Sequence, residues 1–338
     1  MATAQVDAGK ETTRQLTASA APRETTLSTR GAELFVRERG EGRPLLMING
    51  LGGNVEMWGT AEERLSTFAT TIVFDAPGSG RSPALSWPVS IRRLAHVVAG
   101  ALDELGHDQV DVLGFSLGGL IAQELARAER PRIRRLALVA TACGWGSMPG
   151  TLQALALISM PMRYHSRVFY EQTRSLVSPA DAALLRRHEA LSDARLGHPP
   201  SIAGYMAQLW AGALWSSLAW LPSVHVPTLV LHGAGDQLVP SANGVQLARL
   251  LPESRLHVLP DEGHLLVFDP ESGSLPLLDD FFASPSLDES CAWATGTEVD
   301  DDATVDRAFA ESIGAHPYRA LSGVFRRFVQ RTYRNGSA

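Results

Sequence analysis

The sequence contains very little cysteine. Only Cys143 and Cys291 occur in 338 residues, and two distant cysteines cannot supply the dense cross-links that stabilise small secreted domains. We therefore expect each of them to be a buried or incidental thiol rather than a reactive one.

The chain also lacks an excess of basic residues and any metal-binding pattern. It has 30 Lys and Arg against 36 Asp and Glu, a net charge of −6. A general nucleic-acid partner is disfavoured, because binding phosphates needs a surplus of cationic side chains. No cluster of histidines and carboxylates has ligand spacing such as H-E-x-x-H, so we expect no metal and no other cofactor.

Long hydrophobic runs are absent as well. No stretch predicts a transmembrane segment, and the first 30 residues are rich in Thr, Ala, Ser and charge without the apolar core of a signal peptide. These features predict a cytoplasmic protein. Residues 1–29 are polar and turn-rich, which favours a disordered N-terminal segment.

What the sequence does contain is a strand followed by a glycine-rich turn with a central serine. Residues 110–113 are mostly apolar, and residues 114–119 read Gly-Phe-Ser-Leu-Gly-Gly. Apolar residues then recur at helical spacing as far as Pro131. A strand-to-helix elbow of this kind lifts a hydroxyl out of a sheet, so Ser116 is the candidate nucleophile.

Two later strand ends offer partners for this serine in the order Ser, Asp, His. The apolar run 227–231 leads into His-Gly-Ala-Gly-Asp236, and the run 255–259 leads into Pro-Asp-Glu-Gly-His264. His264 is the candidate general base, and Asp236 is the candidate residue that orients it. Together with Ser116 they predict attack on an ester carbonyl.

A fourth motif predicts an oxyanion hole. The apolar strand 45–48 is followed by Asn-Gly-Leu-Gly-Gly at residues 49–53, and glycines let backbone amides point into a site without Cβ obstruction. The N–H groups of Leu51 and Leu117 are the candidate donors.

The order of strand and helix signals predicts an α/β fold with a mostly parallel sheet covered by helices on both faces. Strand signals stop after residue 141 and resume at residue 228. We therefore predict a core formed by residues 30–141 and 223–283, with residues 142–222 inserted as a helical lid. Residues 74–82 are expected to form a structural turn that frames the pocket.

The predicted lid is rich in Met, Trp, Tyr and Leu. Such residues fill the core of any helical cap, but some of them should line an apolar substrate pocket, since sites for greasy ligands are concave and mostly apolar. The candidate pocket residues are Asn49, Trp145, Met148, Tyr205 and Trp210.

Residues 284–338 form a separate segment in this prediction. An acidic linker over about 286–302 precedes a helix in which Tyr318, Leu321, Phe325 and Phe328 share one face and arginines lie around the rest. Such a helix can dock on its own domain or lie on a hydrophobic or anionic surface.

These motifs together resemble the α/β-hydrolase superfamily over about residues 31–283. Stretches at 44–56, 140–144, 148–150, 161–164, 204–212 and 215–221 are similar to intracellular medium-chain-length poly(3-hydroxyalkanoate) depolymerases. Asn49-Gly50 matches that family, whereas Leu117 stands where the family has an aromatic residue.

The resemblance implies an aliphatic ester or polyester substrate stored in cytoplasmic granules, with the basic C-terminal helix suited to the granule surface. Three alternatives within the same fold stay open: a small-molecule carboxylesterase, a perhydrolase and a C–C bond hydrolase. A fourth alternative is a non-catalytic, granule-associated protein that has kept the fold.

Overall fold

The computed structural model describes residues 21–86 and 88–312. Within them, eight strands form one sheet in the order β1-β2-β4-β3-β5-β6-β7-β8. The strands β1 and β4 pair antiparallel with β2, and the remaining neighbours are parallel. The strands are β1 Arg23–Thr29, β2 Ala32–Arg39, β3 Arg43–Ile48, β4 Ala69–Phe74, β5 Val110–Phe115, β6 Ile133–Val139, β7 Thr228–Gly233 and β8 Ser254–Leu259.

Helices alternate with the parallel strands. They are α1 Gly59–Leu65, α2 Ile91–Glu104, α3 Leu117–Ala128, α4 Leu152–Ile158, α5 Met162–His165, α6 Arg167–Val177, α7 Ala182–Arg187, α8 Glu189–Gly197, α9 Ile202–Ala213, α10 Ala242–Leu250, α11 Ser274–Ala283, α12 Cys291–Thr295 and α13 Asp302–Ser312. Short 3₁₀ turns occupy Val55–Trp58, Arg130–Arg132, Pro179–Asp181, Leu221–Ser223 and Leu266–Phe268. The predicted α/β fold with a mostly parallel sheet is confirmed.

Two hydrophobic cores lie on opposite faces of the sheet. In β3, Leu46 and Ile48 contribute to the core that also contains residues of α2, α3 and α10, while Leu45 and Met47 contribute to the core with residues of α1 and α11. This alternation follows from the two-residue period of a strand. Because both faces are covered, the parallel strands are apolar along almost their whole length.

The carboxyl ends of the parallel strands meet at one edge of the sheet. The loops after β3, β5, β7 and β8 therefore bring Asn49, Ser116, Asp236 and His264 to the same edge. Ligand sites of open α/β sheets lie at this edge. Between β6 and β7, the helices α4 to α9 follow one another without a strand.

The N-terminal prediction is wrong for residues 23–29. They form β1, which pairs with β2 across a tight turn at Arg30 and Gly31, both in the positive-φ region. Alternate side chains of β1 are exposed, so a polar composition is compatible with an edge strand. Residues 1–20 lie outside the described residues.

The prediction of an acidic, loop-like linker after residue 284 is also wrong in part. The segment contains α12, and Thr297 and Leu256 exchange two backbone hydrogen bonds of 2.9 Å. Val299 and Val305 are buried in the core, which ties the segment to the sheet. The predicted amphipathic helix at 318–334 lies outside the described residues.

Two further sequence predictions can be compared with the structure. Cys143 is buried, and burial raises the pKa of its thiol to about 12, whereas Cys291 is exposed. No helix in the described ranges combines the length and hydropathy that crossing a bilayer requires.

Candidate active site

Ser116 occupies a strained turn between β5 and α3. Its backbone has φ 53° and ψ −120°, a region that residues with a side chain seldom adopt. The turn is tight because α3 packs closely on the strand: a Cβ on Gly114 would lie 2.7 Å from the Cβ of Ala122. Gly114 is therefore required by the close approach of these two elements, while a Cβ on Gly118 would meet Ile48 O and one on Gly119 would meet the side chain of Thr141.

A chain of two hydrogen bonds connects Ser116 to Asp236 through His264. His264 Nε2 lies 3.1 Å from Ser116 Oγ, and His264 Nδ1 lies 2.7 Å from Asp236 Oδ2. His264 and Asp236 are both buried. The carboxylate can only accept, so Nδ1 carries the proton and Nε2 is left to accept from the serine hydroxyl.

The other oxygen of Asp236 is held by the backbone. Asp236 Oδ1 accepts hydrogen bonds of 2.9 Å from the N–H groups of Leu238 and Val239. These donors leave Oδ2 facing His264. The position of the carboxylate is thus determined by the loop after β7 rather than by a flexible side chain alone.

Two backbone amides beside Ser116 remain available to a ligand. Leu117 is the first residue of α3, where an N–H has no partner inside the helix. In the loop after β3, Gly50, Gly52 and Gly53 each donate to an acceptor, while the Leu51 N–H has none within the described residues. The macrodipole of α3 adds positive potential at the same point.

Residues 49–53 form the candidate oxyanion loop, called the oxyanion loop below. Side chains from the loop itself and from α9 hold it in place. Asn49 Oδ1 accepts from Gly50 N at 2.7 Å, and its amide donates to Asn54 O at 2.9 Å. Gln208 Oε1 accepts from Gly52 N at 3.0 Å. The amide of Gln208 in turn donates to Pro77 O and Ser79 Oγ, both at 3.0 Å.

The turn after β4 therefore supports the oxyanion loop through Gln208. Asp75 at its start is buried and accepts from Val55 N and Arg81 N, each at 2.8 Å. Burial raises the pKa of Asp75. These contacts match a structural role for the turn at residues 74–82.

Ser116 lies between two cavities of different size. A small cavity of about 50 Å³ extends under α5, α6 and α8, and its lining includes His264, Tyr164 and Tyr170. A larger, open cavity of about 480 Å³ is lined mainly by apolar residues such as Leu120, Met148 and Leu209. Both cavities touch Leu51 as well as Ser116.

Four of the five candidate pocket residues line one of these cavities. Asn49 and Tyr205 line the small cavity, and Trp145 and Met148 line the large one. Trp210 lines neither and is 50% exposed. Residues 205, 209 and 212 share one face of α9, and Trp210 lies off that face, so the expectation for Trp210 does not hold.

Several residues of the site were not singled out by the sequence. Gln208 and Tyr164 support the oxyanion loop, since the Tyr164 hydroxyl donates to Leu51 O at 2.6 Å. Arg163 and Arg195 line the small cavity. Both Gln208 and Tyr164 lie in stretches that resemble the depolymerases, but only the packing of α5 and α9 on the loop shows their contacts.

Comparison with known proteins adds the family. The sequence pattern of the alpha/beta hydrolase fold family matches residues 43–271. The chain belongs to this family. The match spans the turn at Ser116, the loop after β3 and the loops of Asp236 and His264.

Two curated relatives share about a third of their sequence with this alpha/beta hydrolase. It is 35% identical to a poly(3-hydroxyalkanoate) depolymerase of Ectopseudomonas oleovorans over 242 residues, which cover 70% of this chain and 83% of that one. It is 30% identical to the 2-hydroxy-6-oxo-2,4-heptadienoate hydrolase of Pseudomonas putida, covering 75% of this chain and 94% of that one. The resemblance to the depolymerases is confirmed.

Solved structures give the same fold. A hydrolase from Pseudomonas aeruginosa PA01 superposes with a TM-score of 0.66 at 25% identity, covering 78% of this chain and 100% of that chain.

Proposed function

We propose that this alpha/beta hydrolase is a serine carboxylic-ester hydrolase that works through an acyl-enzyme. The observation that supports the proposal is the hydrogen-bonded chain Asp236–His264–Ser116 beside the free amides of Leu51 and Leu117. Acyl transfer requires a nucleophile, a base, an orienting carboxylate and anion donors around one point, and we assign these roles to Ser116, His264, Asp236 and the two amides.

Acylation begins when Ser116 Oγ attacks the ester carbonyl carbon and His264 Nε2 takes the serine proton. The carbonyl oxygen becomes an oxyanion held by the N–H groups of Leu51 and Leu117. Collapse of the tetrahedral intermediate breaks the bond to the leaving alkoxide, which receives the proton from His264. Asp236 stabilises the imidazolium that forms between these two transfers.

Deacylation repeats the sequence with water as the nucleophile. His264 takes a proton from water, the resulting hydroxide attacks the acyl carbon, and Ser116 Oγ leaves with the proton that His264 returns. The products are a carboxylic acid and an alcohol. The oxyanion donors serve both half-reactions, because the negative charge develops on the same oxygen.

For the substrate we propose an aliphatic polyester or oligoester of 3-hydroxyalkanoates. The relative from Ectopseudomonas oleovorans and the large apolar cavity beside Ser116 support this choice. Exposed apolar side chains on α4, α9 and nearby loops, among them Trp145, Leu152 and Leu214, suit contact with a hydrophobic polymer. We propose that α4 to α9 act as the lid of a cytoplasmic enzyme that binds granules.

A C–C bond hydrolase is the second candidate, supported by the relative from Pseudomonas putida. The same Ser-His-Asp geometry serves both reactions, so the residues of the triad do not separate them. A non-catalytic granule protein is an alternative from a different class, and a fluorophosphonate probe tests it. Labelling of Ser116 is expected, and failure to label would favour the binding protein.

The decisive experiment measures release of 3-hydroxyacids from amorphous medium-chain polyhydroxyalkanoate granules, with p-nitrophenyl octanoate as a small ester. In Ser116→Ala we expect both activities to fall by about 10⁴-fold or more with the melting temperature preserved. Release from granules by the wild type that depends on Ser116 supports the depolymerase. Cleavage of the small ester alone contradicts the polymer substrate, and activity retained in Ser116→Ala contradicts the nucleophile.

A further inference from the structure

The small cavity contains two buried arginines without acidic partners. Arg163 and Arg195 are 6% and 8% exposed, and they line the same cavity as Ser116 and His264. Among the residues that the structure describes, neither forms an ion pair with an acidic side chain, and the Nε atom of each is buried without a hydrogen-bond acceptor.

This lack of pairing is not general among the arginines of the helical segment. Arg167 pairs with Asp193, Arg174 with Glu171, and Arg187 with Asp269 and Glu271. Each of these arginines is more exposed than Arg163 and Arg195. Arg186, which also forms no ion pair among the described residues, is exposed to solvent. A buried cation is costly unless an anion or strong acceptors balance it, so Arg163 and Arg195 are the arginines of this segment that are both buried and unpaired.

Aromatic side chains compensate Arg195 more fully than Arg163. Burial lowers the pKa of Arg195, but Tyr164, Tyr170 and Tyr205 raise it by more. The Arg195 guanidinium lies 4.7 Å from the ring of Tyr164 and 5.5 Å from that of Tyr170, and Arg163 lies 5.9 Å from Tyr170. Burial, together with the positive charge of Arg195, lowers the pKa of Arg163. Two positively charged guanidiniums in one cavity repel each other, and an anion that binds between them stabilises both.

The cavity is too small for a polymer strand to pass through it. Its volume of about 50 Å³ accommodates a carboxylate with a few carbon atoms, whereas the apolar cavity on the other side of Ser116 is roughly ten times larger. An ester bound across Ser116 would therefore place a short charged end in the small cavity and a long apolar part in the large one.

We propose that the substrate carries a free carboxylate, which binds Arg163 and Arg195, so that the enzyme cleaves 3-hydroxyalkanoate oligomers at their carboxyl-terminal unit. This inference rests on the ester hydrolase proposed above and specifies its substrate. The interior of a polyester chain is neutral, and only its carboxyl end supplies the anion that the two arginines lack.

The test compares 3-(butanoyloxy)butanoic acid with its methyl ester, which lacks the negative charge and is one methyl group larger, and with the corresponding primary amide, which is neutral and of nearly the same size as the acid. Their affinities are measured by calorimetry with Ser116→Ala, which cannot turn them over. We expect the acid to bind about 10- to 100-fold more tightly than the ester or the amide, as buried charge-assisted pairs do. Equal affinities, or tighter binding of the ester or the amide, would overturn the proposal. This outcome is measured in Ser116→Ala alone and needs no arginine variant.

Arginine variants made in Ser116→Ala test which residues cause the preference for the acid. Arg195→Met and Arg163→Met should each remove most of the preference for the acid, and Arg195→Lys, which keeps the charge, should retain part of it. Arg167→Met is the matched control, because Arg167 is an exposed arginine of the same segment, and it should keep the full preference. A preference that survives in both cavity variants would contradict the assignment.

Failure of this inference is distinguishable from failure of the proposed function. If the wild type releases hydroxyacids from granules and Ser116→Ala binds acid and methyl ester equally, the depolymerase stands and the carboxylate site is wrong. If no ester is cleaved but the acid still binds preferentially through Arg163 and Arg195, the anion site stands and the proposed function is wrong.

Discussion

Ser116 shows how much of the site depends on the backbone of a single residue. A positive φ in a residue with a side chain costs about 1–3 kcal/mol, and the surroundings hold it by specific contacts. Ser116 N donates to Val139 O at 2.9 Å, and Thr141 Oγ1 donates to Ser116 O at 2.6 Å. The neighbouring strand β6 thus keeps the hydroxyl exposed to His264.

At the same scale, Asp236→Asn should reverse the tautomer of His264. Because Leu238 N and Val239 N both donate to Oδ1, the amide oxygen of asparagine will occupy that position and its NH₂ will face Nδ1. The proton then moves to Nε2, which can no longer accept from Ser116. We expect kcat to fall by about 10⁴-fold in a pre-steady-state ester assay.

The fold of Asp236→Asn should be preserved, because all three hydrogen bonds of the side chain persist. Leu238 N and Val239 N still donate to the side-chain oxygen, and the asparagine NH₂ now donates to His264 Nδ1. Thermal unfolding followed by circular dichroism provides the control. Activity within tenfold of the wild type would show that Asp236 does not determine the tautomer.

At the scale of elements, α9 connects the insertion to the oxyanion loop. It carries Gln208, which accepts from Gly52, and Tyr205, whose ring packs 5.5 Å from that of Tyr164. The helix can approach the loop because Gly204 lies directly against Gly78. A Cβ on Gly204 would be 2.6 Å from Gly78 O, closer than real Cβ contacts.

Gly204→Ala should therefore displace α9 and loosen the loop that it supports. We expect a loss of about 1–3 kcal/mol in the free energy of unfolding, typical of overpacking, together with a reduced kcat, because Gln208 moves away from Gly52. Urea denaturation and ester kinetics on one preparation measure both effects.

Gly197→Ala provides the matched control, since Gly197 also lies in a helix of the insertion and a Cβ there would meet nothing within 4 Å. This variant should keep the stability and kcat of the wild type. A Gly204→Ala enzyme with normal kcat would show that the position of α9 does not affect the oxyanion loop.

At the scale of the whole molecule, buried titratable side chains lie where the insertion meets the core beside the site. Asp181, in the turn after α6, accepts from Leu265 N at 3.1 Å, next to His264. Burial raises the pKa of Asp181 to about 6; hydrogen bonding and the charge of His264 oppose this shift, and Asp236 adds to it. His232, at the end of β7, is buried too, and burial lowers its pKa to about 4.

These two shifts act on stability with opposite signs between pH 4 and 6. The folded state retains the Asp181 proton that the unfolded state loses, so Asp181 makes stability fall as pH rises through this window. His232 stays neutral in the folded state while the unfolded state binds a proton, so its contribution rises with pH up to about 6.5.

Asp181→Asn should isolate the contribution of Asp181. The amide oxygen can still accept from Leu265 N, so the variant should gain stability relative to the wild type as pH rises from 4 to 6 and keep a constant difference above that. The shift corresponds to about 3 kcal/mol at most. Urea unfolding at half-unit pH intervals measures it, and a difference independent of pH would contradict a protonated Asp181.

The sequence alone allowed the fold class and the four strand-end motifs to be predicted, because these depend on local chemistry. Apolar runs mark the buried strands, and glycines mark the elbow at Ser116 and the loop at Leu51. Predictions from the sequence were wrong where a polar segment forms regular secondary structure. Residues 23–29 form an edge strand, which tolerates exposed side chains, and Thr297 pairs with Leu256 in a segment that reads as a linker.

Only the tertiary structure decided how distant residues support and surround the nucleophile. Gln208 and Tyr164 reach the oxyanion loop across more than 110 positions in the chain. Folding also places Arg163 and Arg195 in one cavity, where neither forms an ion pair with an acidic side chain of residues 21–86 or 88–312. Local periodicity determines which residues form strands and helices, since that depends on near neighbours. The burial of a side chain and its hydrogen-bond or ion-pair partners depend on packing between elements that are remote in sequence, so no local pattern reveals them.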